Sequence, residues 1–296
     1  MRTTAFGPGK VIVLGEHGVV YGHPALAGPI SRGVRAWAEP SERTQLELPD
    51  ALTDSQRDAL ERAFARAAKK VKHPKVSIHV ESDLPPSMGL GSSGALAVAI
   101  ARVLLPPVTK AREVENLALE MEREFHGTPS GVDHTTSARG ELILFQRGRA
   151  KVVTCPRPLK VLVAIAGKRG PTKVTVGALR ERQARWPARY KRLFVEIASV
   201  VKDGAAAIRA GELESLGDAM NVNQGLLSAL GLSSPPIEEL VYRLRAMGAY
   251  GAKLTGAGGD GGAVIALFPE PEHAVVKLRA AGVDCFTSQL AGPRTL

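Results

Sequence analysis

Only two cysteines, Cys155 and Cys285, occur among the 296 residues, far apart and without metal-ligand spacing. That excludes a disulfide framework and a cysteine-built zinc site, and leaves two buried free thiols as the expectation. No apolar run approaches the ~20 residues needed to cross a bilayer, and Met1-Arg2-Thr3-Thr4 leads directly into a strand-like segment rather than a secretion signal. A cytoplasmic protein without membrane attachment is expected. Repeats and low-complexity linkers are missing too, so nothing in the sequence marks a domain boundary.

What is present suits a soluble enzyme. A chain of 296 residues with 44% hydrophobic content can build one large or two ordinary domains. The net charge of +10 attracts polyanions in general. Much of the excess sits in Arg180, Arg182, Arg185, Arg189, Lys191 and Arg192, which read as the solvated face of a helix. No specific nucleic-acid partner is expected from it.

The most informative stretch is Leu84-Pro85-Pro86-Ser87-Met88-Gly89-Leu90-Gly91-Ser92-Ser93-Gly94, a glycine-rich turn that runs into a helix without the lysine of a Walker loop. Val76 to Val80 alternates as a strand before it, and the small, apolar run Gly94–Ala101 reads as a buried helix that ends ahead of Pro106 and Pro107. Glycines 89 and 91 allow close backbone approach, and the helix start offers unpaired N–H groups and a positive dipole end. An anionic phosphate suits both.

Two further glycine-bearing segments add to this. Pro8-Gly9-Lys10 opens a short apolar strand that leads to Gly15-Glu16-His17-Gly18-Val19-Val20-Tyr21-Gly22. Lys253-Leu254-Thr255-Gly256-Ala257-Gly258-Gly259-Asp260 precedes another apolar strand, Ala263 to Phe268. Together the three segments resemble the signature motifs of the GHMP small-molecule kinase family. Gly15-Glu16-His17-Gly18-Val19, without the Thr-Asp pair expected of a sugar kinase, and His126-Gly127-Thr128-Pro129-Ser130-Gly131-Val132-Asp133 resemble the branch that acts on mevalonate. Asp260 stands where that branch is expected to carry another glycine, and it keeps phosphomevalonate in view as an alternative acceptor.

The resemblance implies a two-domain α/β (α+β) architecture, with an N-terminal ribosomal-protein-type domain over 1–157 and a C-terminal ferredoxin-like domain over 158–296. It implies ATP and Mg²⁺ as cofactors and mevalonate as the small-molecule partner, and a homodimer is compatible with it. It assigns Asp133 and Lys10 to catalysis, Asp133 as base or orienting group for the acceptor hydroxyl and Lys10 as the cation that stabilises the forming alkoxide. Phosphate contacts fall to Pro86, Ser87, Met88, Gly89, Leu90, Gly91, Ser92 and Ser93, and to Gly256, Ala257 and Gly258. Ser93 and Glu122 match the magnesium positions, while Lys10, Glu16, His17, Asp133 and Thr172 are the expected acceptor contacts. Without the resemblance, Ser93 reads as a helix N-cap and Glu122 as a surface charge.

For the remaining elements, the pattern predicts strands at Thr3–Phe6, Val11–Leu14 and Val34–Ala38, then a polar segment Pro40–Asp50. Helices are expected at Ser55–Lys70 and 110–126, and strands at Glu141–Phe145, Ala150–Thr154 and Leu159–Ala164. A helical region over Thr172–Met247 is broken at Pro187, Gly211 and Ser233–Pro236. A closing series of strand, glycine loop, strand, helix and strand implies mixed layers rather than a doubly wound parallel sheet.

Overall fold

The computed structural model describes residues 3–47, 54–126, 129–167 and 172–292. The chain forms two compact units, and neither is a continuous segment. The first comprises Met1–Lys10, Ile30–Leu84 and Gly91–Gly140; the second comprises Val11–Pro29, Pro85–Leu90 and Glu141–Leu296. The expected single cut near residue 157 is therefore replaced by a division after Gly140, with two earlier segments joining the second unit.

In the first unit, the far half of strand β2 (Ala25–Pro40) pairs antiparallel with β4 (Val76–Ser82), and the short β3 (Gln45–Glu47) lies parallel to β4. Helices α1 (Asp54–Ala68), α2 (Ser92–Leu104), α3 (Ala111–His126) and α4 (Val132–Arg139) complete it. Helix α2 carries Ala95, Ala97, Val98, Ala99, Ile100 and Ala101 without exposure, which explains its apolar, small-residue sequence. Small side chains let α3 and α4 pack closely against it. A β-carbon on Gly94 would lie 3.0 Å from Cβ of Asp133, so this position brings the start of α4 against α2.

The second unit contains the near half of β2, where Ala25–Ala27 pair with Ile143–Phe145 of β5 (Ile143–Gln146), itself paired with β6 (Arg149–Val152). That ladder is why Val11–Pro29 keeps company with the C-terminal half of the chain. A four-stranded antiparallel sheet follows, ordered β10 (Cys285–Ala291), β7 (Leu159–Ala166), β9 (Gly262–Leu267), β8 (Gly251–Thr255). Helices α5 (Thr172–Arg185), α6 (Pro187–Ala210), α7 (Leu213–Ala229) and α8 (Pro235–Ala246) lie between β7 and β8 in the chain, and α9 (Glu272–Ala280) lies between β9 and β10. Strand, helices, two strands, helix and strand in this sheet order give the expected ferredoxin-like arrangement. Its core gathers Leu162, Phe194, Leu227, Val241, Leu254, Val264 and Leu278.

Several local expectations change. The two N-terminal strands are one strand, β1 (Thr3–Leu14), because Gly7-Pro8-Gly9 continues extended. Helix α4 was not expected, since its polar sequence Val132-Asp133-His134-Thr135-Thr136-Ser137 lacks a helical apolar period; its hydroxyls are nevertheless buried, and Thr136 donates to the carbonyl of Val132 at 2.7 Å. Both cysteines are buried free thiols. Among the described residues no helix is long and apolar enough to cross a membrane.

Candidate active site

Lys10, in strand β1, is only 4% exposed, which is unusual for a lysine. Its Nζ lies 3.0 Å from Oδ1 of Asp133, near the start of α4. The aliphatic stem of Lys10 runs beneath Gly91, the N-cap of α2. A β-carbon at Gly91 would meet Cγ of Lys10 at 2.8 Å, and its φ of +75° belongs to the region that glycine adopts freely. Gly91 at the N-cap has no side chain with which to cap the first turn of α2.

Glu122 completes this cluster from α3. The neighbouring acids on that helix meet guanidinium groups: Glu115 with Arg139 at 2.7 Å, Glu120 with Arg66 at 2.9 Å, and Glu124 with Arg66 at 2.9 Å. Glu122 is 1% exposed and, among the described residues, has no such bridge, and its Oε1 accepts no hydrogen bond. Burial, reinforced by the charge of Asp133, pushes its carboxyl up to about 8, while a hydrogen bond from Ser93 and the charge of Lys10 pull the other way. The surface-charge reading of Glu122 is thus excluded. The N-cap reading of Ser93 fails as well, because Gly91 holds that place. His134, which the sequence did not single out, is buried beside Asp133; burial pushes its imidazole down to about 4, and its Nδ1 has no hydrogen-bond partner.

A buried carboxylate oxygen without a partner is costly, and a hard cation would relieve it. The hydroxyl of Ser93 and the carboxylate of Glu122 are the oxygen donors that Mg²⁺ accepts, leaving its other positions to phosphate and water. The residues present fit that ion.

In the second unit, the turn after β1 has unusual geometry. His17 adopts φ +57° and ψ −39°, and the N–H of Gly18 donates to the carbonyl of Glu16 at 2.6 Å. This is a γ-turn of the rare, strained kind with positive φ at its centre. Glu16 and Lys253 are both fully buried, and Nζ of Lys253 donates to Oε1 of Glu16 and, at 2.6 Å, to the carbonyl of Leu254. Nδ2 of Asn223 donates to the other oxygen of Glu16 at 3.3 Å. The expectation that Glu16 contacts the acceptor is corrected here: a carboxylate with no exposed surface, occupied by an ammonium and an amide, is part of the scaffold. Lys253 and Asn223 were missed as its partners, and only the unusual lysine in the apolar strand before the third glycine motif signalled them.

His17 is 7% exposed, and its Nε2 lies 2.9 Å from the carbonyl of Ala257. Thr255 joins β8 to β1, accepting from the N–H of Ile12 at 2.8 Å and donating to the carbonyl of the same residue at 3.1 Å. Gly256, at φ +83°, would place a β-carbon 2.8 Å from the carbonyl oxygen of Gly89, so the third glycine turn rests directly on the loop Pro86–Leu90. In that loop Pro86 and Ser87 are exposed and Leu90 is buried, which leaves Leu90 only its backbone to offer a phosphate. Asp260 is exposed, so solvent rather than a buried cation can screen its charge. Thr172 opens α5, and its side chain lies outside the described part, as do residues Gly127 and Thr128.

Comparison with known proteins agrees with this pattern. The family model described as GHMP kinases N terminal domain matches residues 58–141, and the one described as GHMP kinases C terminal matches residues 205–284. The mevalonate kinase of Aeropyrum pernix is 37% identical, over 97% of this chain and 95% of the relative. That of Thermococcus gammatolerans is 34% identical, over 93% and 92% respectively. Among solved structures, the L. major mevalonate kinase in complex with R-mevalonate superposes with a TM-score of 0.83 at 29% identity, covering 98% of this chain and 97% of that one. The chain belongs to the GHMP kinase family, and the two relatives compared above, which it matches over nearly its whole length, are mevalonate kinases.

Proposed function

We propose that this chain transfers the γ-phosphoryl group of Mg·ATP to the primary hydroxyl of mevalonate, giving 5-phosphomevalonate and ADP. The observation that carries the reading is the grouping in one unit of the Lys10–Asp133 pair at 3.0 Å with the buried Glu122 and its Ser93 donor, on a chain 37% identical to a mevalonate kinase.

Phosphoryl transfer to an alcohol asks the protein mainly to position groups and to stabilise charge. Mg²⁺, held by Ser93 and Glu122, would neutralise charge on the phosphates. The first turn of α2, with glycine at its N-cap, would offer its positive dipole end to an anion, and the glycines of the loop ahead of it would let the phosphates approach the backbone. The third glycine turn, Gly256 to Gly258, supports that loop through Gly89. Asp133 accepts the hydrogen of the acceptor hydroxyl and orients its oxygen, and the Lys10 ammonium stabilises negative charge growing there.

The reading describes a cytoplasmic small-molecule enzyme, not a nucleic-acid binder. Within the basic stretch, Arg182 donates to the carbonyl of Leu230 at 2.7 Å, while the guanidinium carbons of Arg185 and Arg189 lie 4.7 and 5.6 Å from the centre of the Trp186 ring. The one aromatic exposed there is thus already engaged.

The test is ADP release from Mg·ATP with mevalonate, phosphomevalonate, homoserine and galactose offered separately, the product being identified by mass spectrometry and NMR. Phosphorylation of mevalonate at its primary hydroxyl is expected. Turnover with another acceptor alone would overturn the substrate, and no turnover with any of them would overturn the kinase reading.

A further inference from the structure

We infer that Lys253, through Glu16 and with Asn223, is a positioning residue that holds the strained His17 turn against the third glycine turn and so sets the phosphate-side loop. The inference rests on the phosphotransfer reading only for its kinetic consequence. Its structural premise is independent of substrate.

A positive φ at a non-glycine residue persists only where the surroundings over-determine it. Here each flank of His17 is tied. On one side Glu16 is fixed by the buried Lys253 ammonium and by Asn223, whose Oδ1 also accepts from the N–H of Gly15 at 3.4 Å. On the other, the His17 ring reaches the carbonyl of Ala257 at 2.9 Å. Lys253 stands in β8, two residues before Thr255 and three before Gly256, so both ties end on the same short stretch.

Helix α7 fixes that stretch from outside. Strand β8 lies at the edge of its sheet, and α7 covers the edge with side-chain amides in place of a fifth strand. Asn221 accepts from the N–H of Ala252 at 3.2 Å and donates to the carbonyl of Tyr250 at 3.0 Å, and Gln224 accepts from the N–H of Leu254 at 2.9 Å. Asn223 lies between them in the sequence and extends the same helix to Glu16. Beyond Lys253, Gly256 lies against Gly89, so a shift of the third turn passes into the loop that the proposed function gives to the phosphates.

Replacing Lys253 alone strands a buried carboxylate and can abolish folding. The test therefore uses two other variants of the full chain: the double substitution Glu16→Gln/Lys253→Met, which removes both charges, and Asn223→Ala, which keeps both. For each, circular dichroism checks folding, steady-state kinetics separate KM for Mg·ATP from kcat, and ¹⁵N-detected histidine NMR follows the His17 ring. Expected in the folded variants is a rise of about tenfold in KM for Mg·ATP with a smaller change in kcat, as misplaced binding groups produce. The His17 Nε2 resonance should move toward that of a ring without its hydrogen bond. A role limited to stability would leave both unmoved, and a folded variant with wild-type KM and an unmoved His17 resonance overturns the inference. If the wild type turns over no mevalonate, the phosphotransfer reading falls, while the His17 resonance still decides the positioning.

Discussion

Glu122 makes the metal-free protein less stable as pH rises, and the size of the effect can be worked out. Its carboxyl goes from about 4.5 in the unfolded chain to about 8 in the fold. Between those values the folded state binds the extra proton, so stability is greatest below the unfolded value and is lost as pH climbs through the folded one. His134 acts in the opposite sense, since burial takes its imidazole from 6.5 down to about 4 and stability is lost as pH falls through that window. The two oppose each other from about 4.5 to 6.5. From about 6.5 to 8 Glu122 acts without that opposition, and at ~1.4 kcal/mol per pH unit the loss is ~2 kcal/mol. The assay is urea unfolding in EDTA at closely spaced pH values, for the wild type and Glu122→Gln. The variant, with no proton to lose, should gain on the wild type by that amount between pH 6.5 and 8. A difference between the two proteins that stays constant with pH, or that shrinks toward pH 8, refutes the assignment of a buried, unpaired carboxyl to Glu122.

Three shorter predictions follow from the same geometry. Asp133→Ala should lower kcat by about 10²- to 10⁴-fold with ATP affinity nearly unchanged, measured by turnover and by calorimetric nucleotide binding, because the proposed function gives this carboxylate to the acceptor hydroxyl. Ser93→Ala should raise the Mg²⁺ concentration needed for half-maximal turnover, and an unaltered requirement would leave Ser93 out of the metal site. Gly256→Ala combines a φ of +83° with a β-carbon 2.8 Å from the carbonyl oxygen of Gly89, so thermal unfolding should show a loss of about 1–3 kcal/mol and KM for Mg·ATP should rise.

The parts legible in the sequence were those with a short-range cause. Helices α5 to α8 begin or end at Pro187, Gly211 and Ser233–Pro236 as expected, because proline and glycine act on the local backbone. The closing run of β8, β9, α9 and β10 was equally plain. Helix α4 was not, because Thr135, Thr136 and Ser137 are buried without an apolar period and the helix is set by its packing against α2 and α3. The division into units was hidden for a related reason. The pairing of Ala25 with Phe145 joins residues far apart in the chain, and no local composition announces it. At the site, Lys10, Ser93, Glu122 and Asp133 could be named through resemblance alone, whereas the burial that tells Glu122 from Glu120 and Glu124 needs the fold.

Three acidic side chains summarise how this protein treats charge, and their differences argue for the metal position more strongly than any one does. Glu16 is fully buried and receives a buried lysine and an amide. Asp133 is partly open and receives Lys10 at 3.0 Å. Glu122 is as inaccessible as Glu16, yet the chain supplies it only the Ser93 hydroxyl and the more distant influence of Lys10, and Asp133 adds repulsion. A fold that neutralises one buried carboxylate with such care does not leave another uncompensated through want of lysine or arginine, which make up 39 of its residues. A cation arriving with the ligand would offset the cost of burying this carboxylate, and the raised carboxyl of the metal-free protein is the signature that the proposed Mg·ATP site calls for.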